Sequence, residues 1–145
     1  MPNPLQQQGN LNRVLTHVIV PDFPELTVTA SFMAKSMANL TFDGSFTDQI
    51  PTATGVVNSP EPFVQGQLVI SLLRSQAVSA LWLAQVQASS VIGSVEVYSD
   101  STEFPMIRLV NCSIISVDPG AFDGQDPATK VTVKGSYYTN AVLWG

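Results

Sequence analysis

Residues 63–87 read FVQGQLVISLLRSQAVSALWLAQVQ and hold one charged side chain, Arg74. The first half alternates, with Val64, Leu68, Ile70 and Leu72 on the same face as Gly66, as a strand over residues 64–74 requires. Ser75 is a fair helix N-cap, and QAVSALWLAQVQAS then predicts a helix over residues 75–89. Ala77, Leu81, Ala84 and Ala88 form its expected inner stripe, widened by Val78, Trp82 and Gln85. Apolar residues run nearly all the way round this helix. A strand feeding such a helix needs more cover than a small domain readily supplies.

The same imbalance runs through the whole chain. Its 145 residues suit one domain, expected over 13–145, which can bury roughly 70% of the surface its unfolded chain exposes. Charged residues are 12% of the sequence, while hydrophobic residues are 45%. Ser, Thr, Asn and Gln make up the difference. A surface poor in charge suits protein contacts, because charges are depleted at interface cores. The net charge of −5 and the lack of any basic run argue against tight binding of a phosphate backbone. Cys112, the single cysteine, excludes an intramolecular disulfide.

Outward from the central stretch, extended chain predominates. Residues 1–12 read as a flexible polar arm without a signal-peptide pattern. Residues 14–20, VLTHVIV, predict a strand covered on both faces, and 26–32, LTVTASF, an alternating half-buried one. Residues 40–46 start a further extended piece that turns near Asp43-Gly44. A long loop broken by proline and glycine is expected at 43–62. After the helix, SVEVYSD points Val95 and Val97 inward. MIRLVNCSIISV (106–117) shifts its inward parity near Leu109-Val110, which predicts a bulge. DPGAFDGQDP is turn chemistry, and a last strand is expected from Lys130 to Trp144. The fold class is therefore mainly β: a two-sheet sandwich or barrel of six to eight strands with one flanking helix.

The catalytic inventory is thin. His17, the lone histidine, lies in an apolar strand, and a serine triad would have to use it. Cys112 lies in another apolar strand with no base nearby to activate it. One Cys and one His cannot make an ordinary zinc site. Asp118, Asp123 and Asp126 could gather calcium, but they lack the alternating ligand spacing of a calcium loop. No phosphate-binding glycine motif is present. Nothing here points to an enzyme, a metal or a cofactor. Tyr137, Tyr138 and Trp144 suit either a sugar-binding face or a subunit interface, and the low charge favours the interface.

The order of elements resembles the tail tube proteins of contractile-tailed bacteriophages, which share their fold with the inner tube subunit of type VI secretion systems. The likeness is carried by TATGVVNSPEP (52–62), LVISLLRSQAVSALW, IGSVEVYSD, VNCSI and VKGSYYTNAVLW. It covers most of the chain after about residue 12 and is one of pattern and order. It implies a structural virion protein that forms hexameric rings stacked into a tube, the conduit for DNA ejection. Its partners would be further copies of itself, the tail sheath, and baseplate or terminator proteins. DNA would pass the lumen without specific binding, repelled by acidic charge. No segment would span a membrane, and assembly would take place in the host cytoplasm. The loop with Ile50, Val56 and Val57 would join rings. Trp82, Tyr137, Tyr138 and Trp144 would lie at subunit contacts. The alternative from another class is a monomeric β-sandwich module that binds carbohydrate or calcium.

Overall fold

The structure is a computed structural model that describes residues 8–144, with the side chain of Trp144 outside the described set. It is mainly β, with eight strands in two sheets and one α-helix, as the sequence predicts. The strands are β1 (His17–Ile19), β2 (Met33–Asp43), β3 (Thr47–Pro51), β4 (Val56–Pro60), β5 (Phe63–Leu73), β6 (Val91–Tyr98), β7 (Ile107–Asp118) and β8 (Ala128–Tyr138). The helix, α1, spans Ala77–Ala88. Six strands form one antiparallel, curled sheet in the order β1-β6-β7-β8-β5-β2, and β3 and β4 form a separate two-stranded sheet.

The centre of the large sheet is the β5–β8 ladder, which pairs Phe63 with Tyr138 at one end and Leu73 with Ala128 at the other without a slip. The alternation in β5 decides which face is covered. Val64, Gly66, Leu68, Ile70 and Leu72 are all buried, as expected. From β8, Val131 and Val133 join them, and β6 adds Ile92 and Val95. A side chain of this size contributes roughly 1.5–3 kcal/mol when fully buried, so this one face outweighs any other feature of the fold.

The expected parity change in β7 is present. Leu109 is buried, and the inward positions then become Cys112 and Ile114. Pairing with β8 slips between Val110 and Ser113, where Asn111 takes φ +53°. The bulge turns Leu109 and Cys112 down onto a hollow made by two paired glycines, Gly66 and Gly135. A Cβ at Gly66 would lie 2.7 Å from Leu109 Cδ2, and one at Gly135 would overlap Cys112 Sγ. The demand for glycine is strict at Gly135, where Cys112 Sγ, Leu109 Cβ and the Val110 carbonyl all crowd the space, whereas at Gly66 only the movable Leu109 side chain lies close.

Several expected elements differ. Residues 14–20 are not one strand: Arg13–Leu15 form a 3₁₀ turn, and only His17–Ile19 pair. Asn12 causes this, because its side chain accepts from the Val14 N–H and offers the backbone a local alternative to a sheet. Asn12 N–H also donates to the Asp100 carbonyl at 2.8 Å, so the expected arm is tied down at its end. Residues 1–7 lie outside the described residues. The alternation at 26–32 correctly marks Leu26 and Val28 as buried, but the chain there forms 3₁₀ turns, Pro24–Leu26 and Ala30–Phe32. Pro24 at the start of the first turn fixes a helical φ. Between the turns, Val28 exchanges two backbone hydrogen bonds with Val18 at 2.8 and 2.9 Å, covering the outer edge of β1 at that point.

The expected loop over 43–62 is a β-hairpin, because β3 and β4 pair from Thr47–Pro60 to Pro51–Val56. The final strand stops at Tyr138, and Ala141–Trp144 is a 3₁₀ turn. The break falls at Asn140, whose φ of +56° is incompatible with extended chain.

The helix also turns differently from expectation. Its cap is Gln76, without a side-chain cap hydrogen bond, and its buried residues are Val78 and Trp82. Ala77, Leu81, Ala84 and Ala88 are exposed. With apolar residues all round, periodicity could not select a face. Contact with the Pro24–Leu26 turn and with β5 does.

Candidate assembly surface

The β3–β4 hairpin stands away from the core. Every residue from Thr47 to Ser59 is exposed. Ile50, Val56 and Val57, the expected ring-joining residues, are 52%, 57% and 53% exposed. Ile50 and Val57 are directly paired and so share one face, while Pro51 and Val56 share the other. An isolated two-stranded hairpin is marginal in water, and this one is held at both ends. At the tip, Thr52 N–H donates to the Gly55 carbonyl and Gly55 N–H to Thr52 Oγ1, at 2.8 and 3.1 Å.

The root is clamped by the segment that follows β8. Asn140 Nδ2 donates to the Phe46 and Glu61 carbonyls at 3.1 and 2.8 Å. Thr139 Oγ1 donates to the same Glu61 carbonyl at 2.6 Å, and Glu61 N–H closes the root on Phe46 at 2.9 Å. The left-handed backbone at Asn140 is what aims its amide at the root. Asparagine tolerates that conformation better than most residues. Phe42 adds ring contacts to Phe46 and Tyr137 at 5.5 and 5.0 Å.

The other expected contact residues divide. Tyr138 is exposed beside the hairpin root, whereas Tyr137 is half-buried against Phe42. Trp82 is fully buried in the chain's own core, and its indole N–H has no hydrogen-bond partner there. The helix offers Leu81 and Leu83 to the outside instead. The Trp144 side chain lies outside the described residues. Two strands border the large sheet, and the outer edge of β2 has no partner strand among the described residues.

The residues weighed for chemistry are otherwise engaged. His17 stacks on Tyr98 at 4.1 Å, and its Nδ1 lies 2.7 Å from the Leu15 carbonyl, so that nitrogen carries the proton. Burial pushes the Cys112 thiol up to about 11, against the pull of a backbone hydrogen bond from Val95, and the group stays protonated at neutral pH. Asp118, Asp123 and Asp126 turn their carboxylates onto backbone N–H groups in and beside the β7–β8 connection, at Gly120, at Gln125 and Asp126, and at Ala128. Hydrogen bonds from Gln125 and Asp126 hold the Asp123 carboxyl below its usual range. Among the described residues no group of three or more His, Cys, Asp or Glu could hold a metal ion.

A groove of about 800 Å³ opens between the β2 edge and β6, with Leu40, Phe42 and Val97 in its walls and Arg13, Lys35 and Glu103 around it. No helix among the described residues is long and apolar enough to cross a membrane. In comparisons with known proteins, no family model and no curated protein matches the chain.

Proposed function

We propose that this chain is a structural subunit of a bacteriophage tail tube, which assembles into hexameric rings stacked around a lumen for DNA. The carrying observation is the β3–β4 hairpin, an arm fixed at its root and tip that leaves Ile50, Val56 and Val57 uncovered. Apolar residues on a rigid arm suit burial by a neighbour, because little conformational entropy remains to be lost on docking. Two further features support the reading. Leu81 and Leu83 leave the helix half covered, and the open β2 edge can accept a strand from a neighbour. Closing such edges into a ring removes them from solvent. Tail sheath and baseplate or terminator proteins would then meet the outside and ends of the tube, and the subunit would do no chemistry.

The net charge of −5 is multiplied sixfold in a ring, which would let DNA slide by repelling its backbone. Negative-stain electron microscopy of the purified protein tests the reading: rings and hollow tubes are expected. A 15.5 kDa monomer at every concentration, in low and high salt, would contradict it and return the binding-module alternative.

A further inference from the structure

The residue that broke the apolar run in the sequence, Arg74, stands at the junction of β5 and α1 and faces the β7–β8 loop, residues 119–127. Its guanidinium donates four hydrogen bonds to backbone carbonyls. Nη1 reaches Pro119 and Ala128 at 2.5 and 3.1 Å, and Nη2 reaches Ala121 at 2.7 Å and also Asp126. Its backbone N–H donates to the Pro127 carbonyl at 2.8 Å. The ring of Phe122 lies 5.1 Å from the guanidinium carbon. Its other surroundings are solvent, for Phe122 is 79% exposed.

Asp118, at the end of β7, and Asp123 and Asp126, within the loop, spend their carboxylates on nearby backbone N–H groups. The carbonyls of Pro119, Ala121, Asp126 and Ala128 instead converge on one point, as they would around a bound cation. Gly120, at φ +80°, is the only residue type that fits there. A Cβ would lie 2.7 Å from the Ala128 carbonyl oxygen and 3.2 Å from Arg74 Nη1.

We propose that Arg74 is a built-in cation that latches the 119–127 loop, filling a carbonyl cage that would otherwise need a free ion or stay open, and so fixes Phe122 at the surface. The latch is independent of the tube reading. A planar fork matches four carbonyls in a way an ammonium cannot, since lysine offers one compact charge at the end of a flexible stem. Arg74 is a positioning residue: without it the loop loses its cross-links while the β5–β8 ladder keeps its own.

Hydrogen exchange resolved to single amides tests this on the intact chain and on Arg74→Ala, Arg74→Lys and Gly120→Ala. In Arg74→Ala, protection of the Gln125, Asp126 and Ala128 amides is expected to fall at least about tenfold, and that of Val131 and Val133 far less, because charged hydrogen bonds are lost locally. Ethylguanidinium at millimolar concentration should restore part of the loop's protection, and ethylammonium should not. Arg74→Lys should fall between the two proteins. Gly120→Ala keeps the arginine and blocks the cage, so it should open the same amides; it carries the test alone if Arg74→Ala does not fold. Unchanged loop protection in these variants would overturn the proposal. Equal loss in loop and ladder, or equal rescue by ethylammonium, would overturn it too.

Discussion

Two antiparallel strand pairs in this chain use the same backbone hydrogen bonding to opposite effect. The β5–β8 ladder lies at the centre of a six-stranded sheet, with a face of valine, leucine and isoleucine buried against helix, turns and bulge. The β3–β4 ladder has solvent on both faces and owes its order to a tight tip and to Thr139 and Asn140 at its root. Pairing alone therefore does not decide stability. The first pair is held by what lies on its face. The second is held by its ends, and its apolar side chains remain free for another molecule.

The largest expected effect lies in the buried pair. Gly135→Ala places a methyl against Cys112 and Leu109, both fixed by the bulge. Overpacking of this kind costs about 1–3 kcal/mol. A thermal melt should drop by several degrees with the hairpin untouched, and an unchanged melt would mean that the bulge yields.

A loss confined to the hairpin, and so smaller in the global melt, is expected at the other pair. Asn140→Ala removes two donors from the hairpin root and forces a left-handed backbone on alanine. Each lost bond costs about 0.5–1.5 kcal/mol. Exchange of the β3–β4 amides should quicken markedly, while the β5–β8 amides barely change.

The central ladder was the part most legible in the sequence. Alternation at Val64, Leu68, Ile70 and Leu72, with no charge until Arg74, permits one reading, and the parity shift after Leu109 announces the bulge. Where a local side-chain hydrogen bond competes with extension, as at Asn12, the β-branched apolar run at 14–20 misleads. The hairpin was hidden by its three prolines. Pro51 and Pro60 sit at the strand ends, where no ladder donor is needed, and Pro62 falls outside both strands. At the candidate surface, the exposed residues Ile50, Val56 and Val57 could be named from the sequence, but not Asn140, whose role depends on a contact across more than seventy positions. Trp82 shows the converse. A helix apolar all round hides which side is inner, and its tryptophan went to the core.

Cys112 sharpens the contrast by pH. Its folded pKa is raised to about 11 by burial, so its contribution to stability is complete below the free thiol's pKa and is lost as pH rises through about 11. Alkaline melts should fall across that window less steeply in Cys112→Ala than in the parent. The native thiol should also react with a disulfide reagent only at the rate of opening. Fast labelling of native protein at pH 8 would place Cys112 outside the core.

The smallest effect is expected at the chain end. Val142 is 94% exposed and Leu143 is 61% exposed, so Val142→Ser with Leu143→Ser should change the stability of the protein by no more than about 0.5 kcal/mol, as for surface changes elsewhere. A large loss would show that Val142 and Leu143 pack against the fold that leaves them open here.

The claim that the hairpin is an assembly arm is tested most directly by Ile50→Lys with Val57→Glu, opposite charges at a directly paired position that keep the ladder together, compared with the parent by electron microscopy and light scattering. Both residues lie on one exposed face, so the doubly substituted protein should fold and melt like the parent. The parent should form stacked rings and the variant none. Equal assembly by the two proteins would contradict the account.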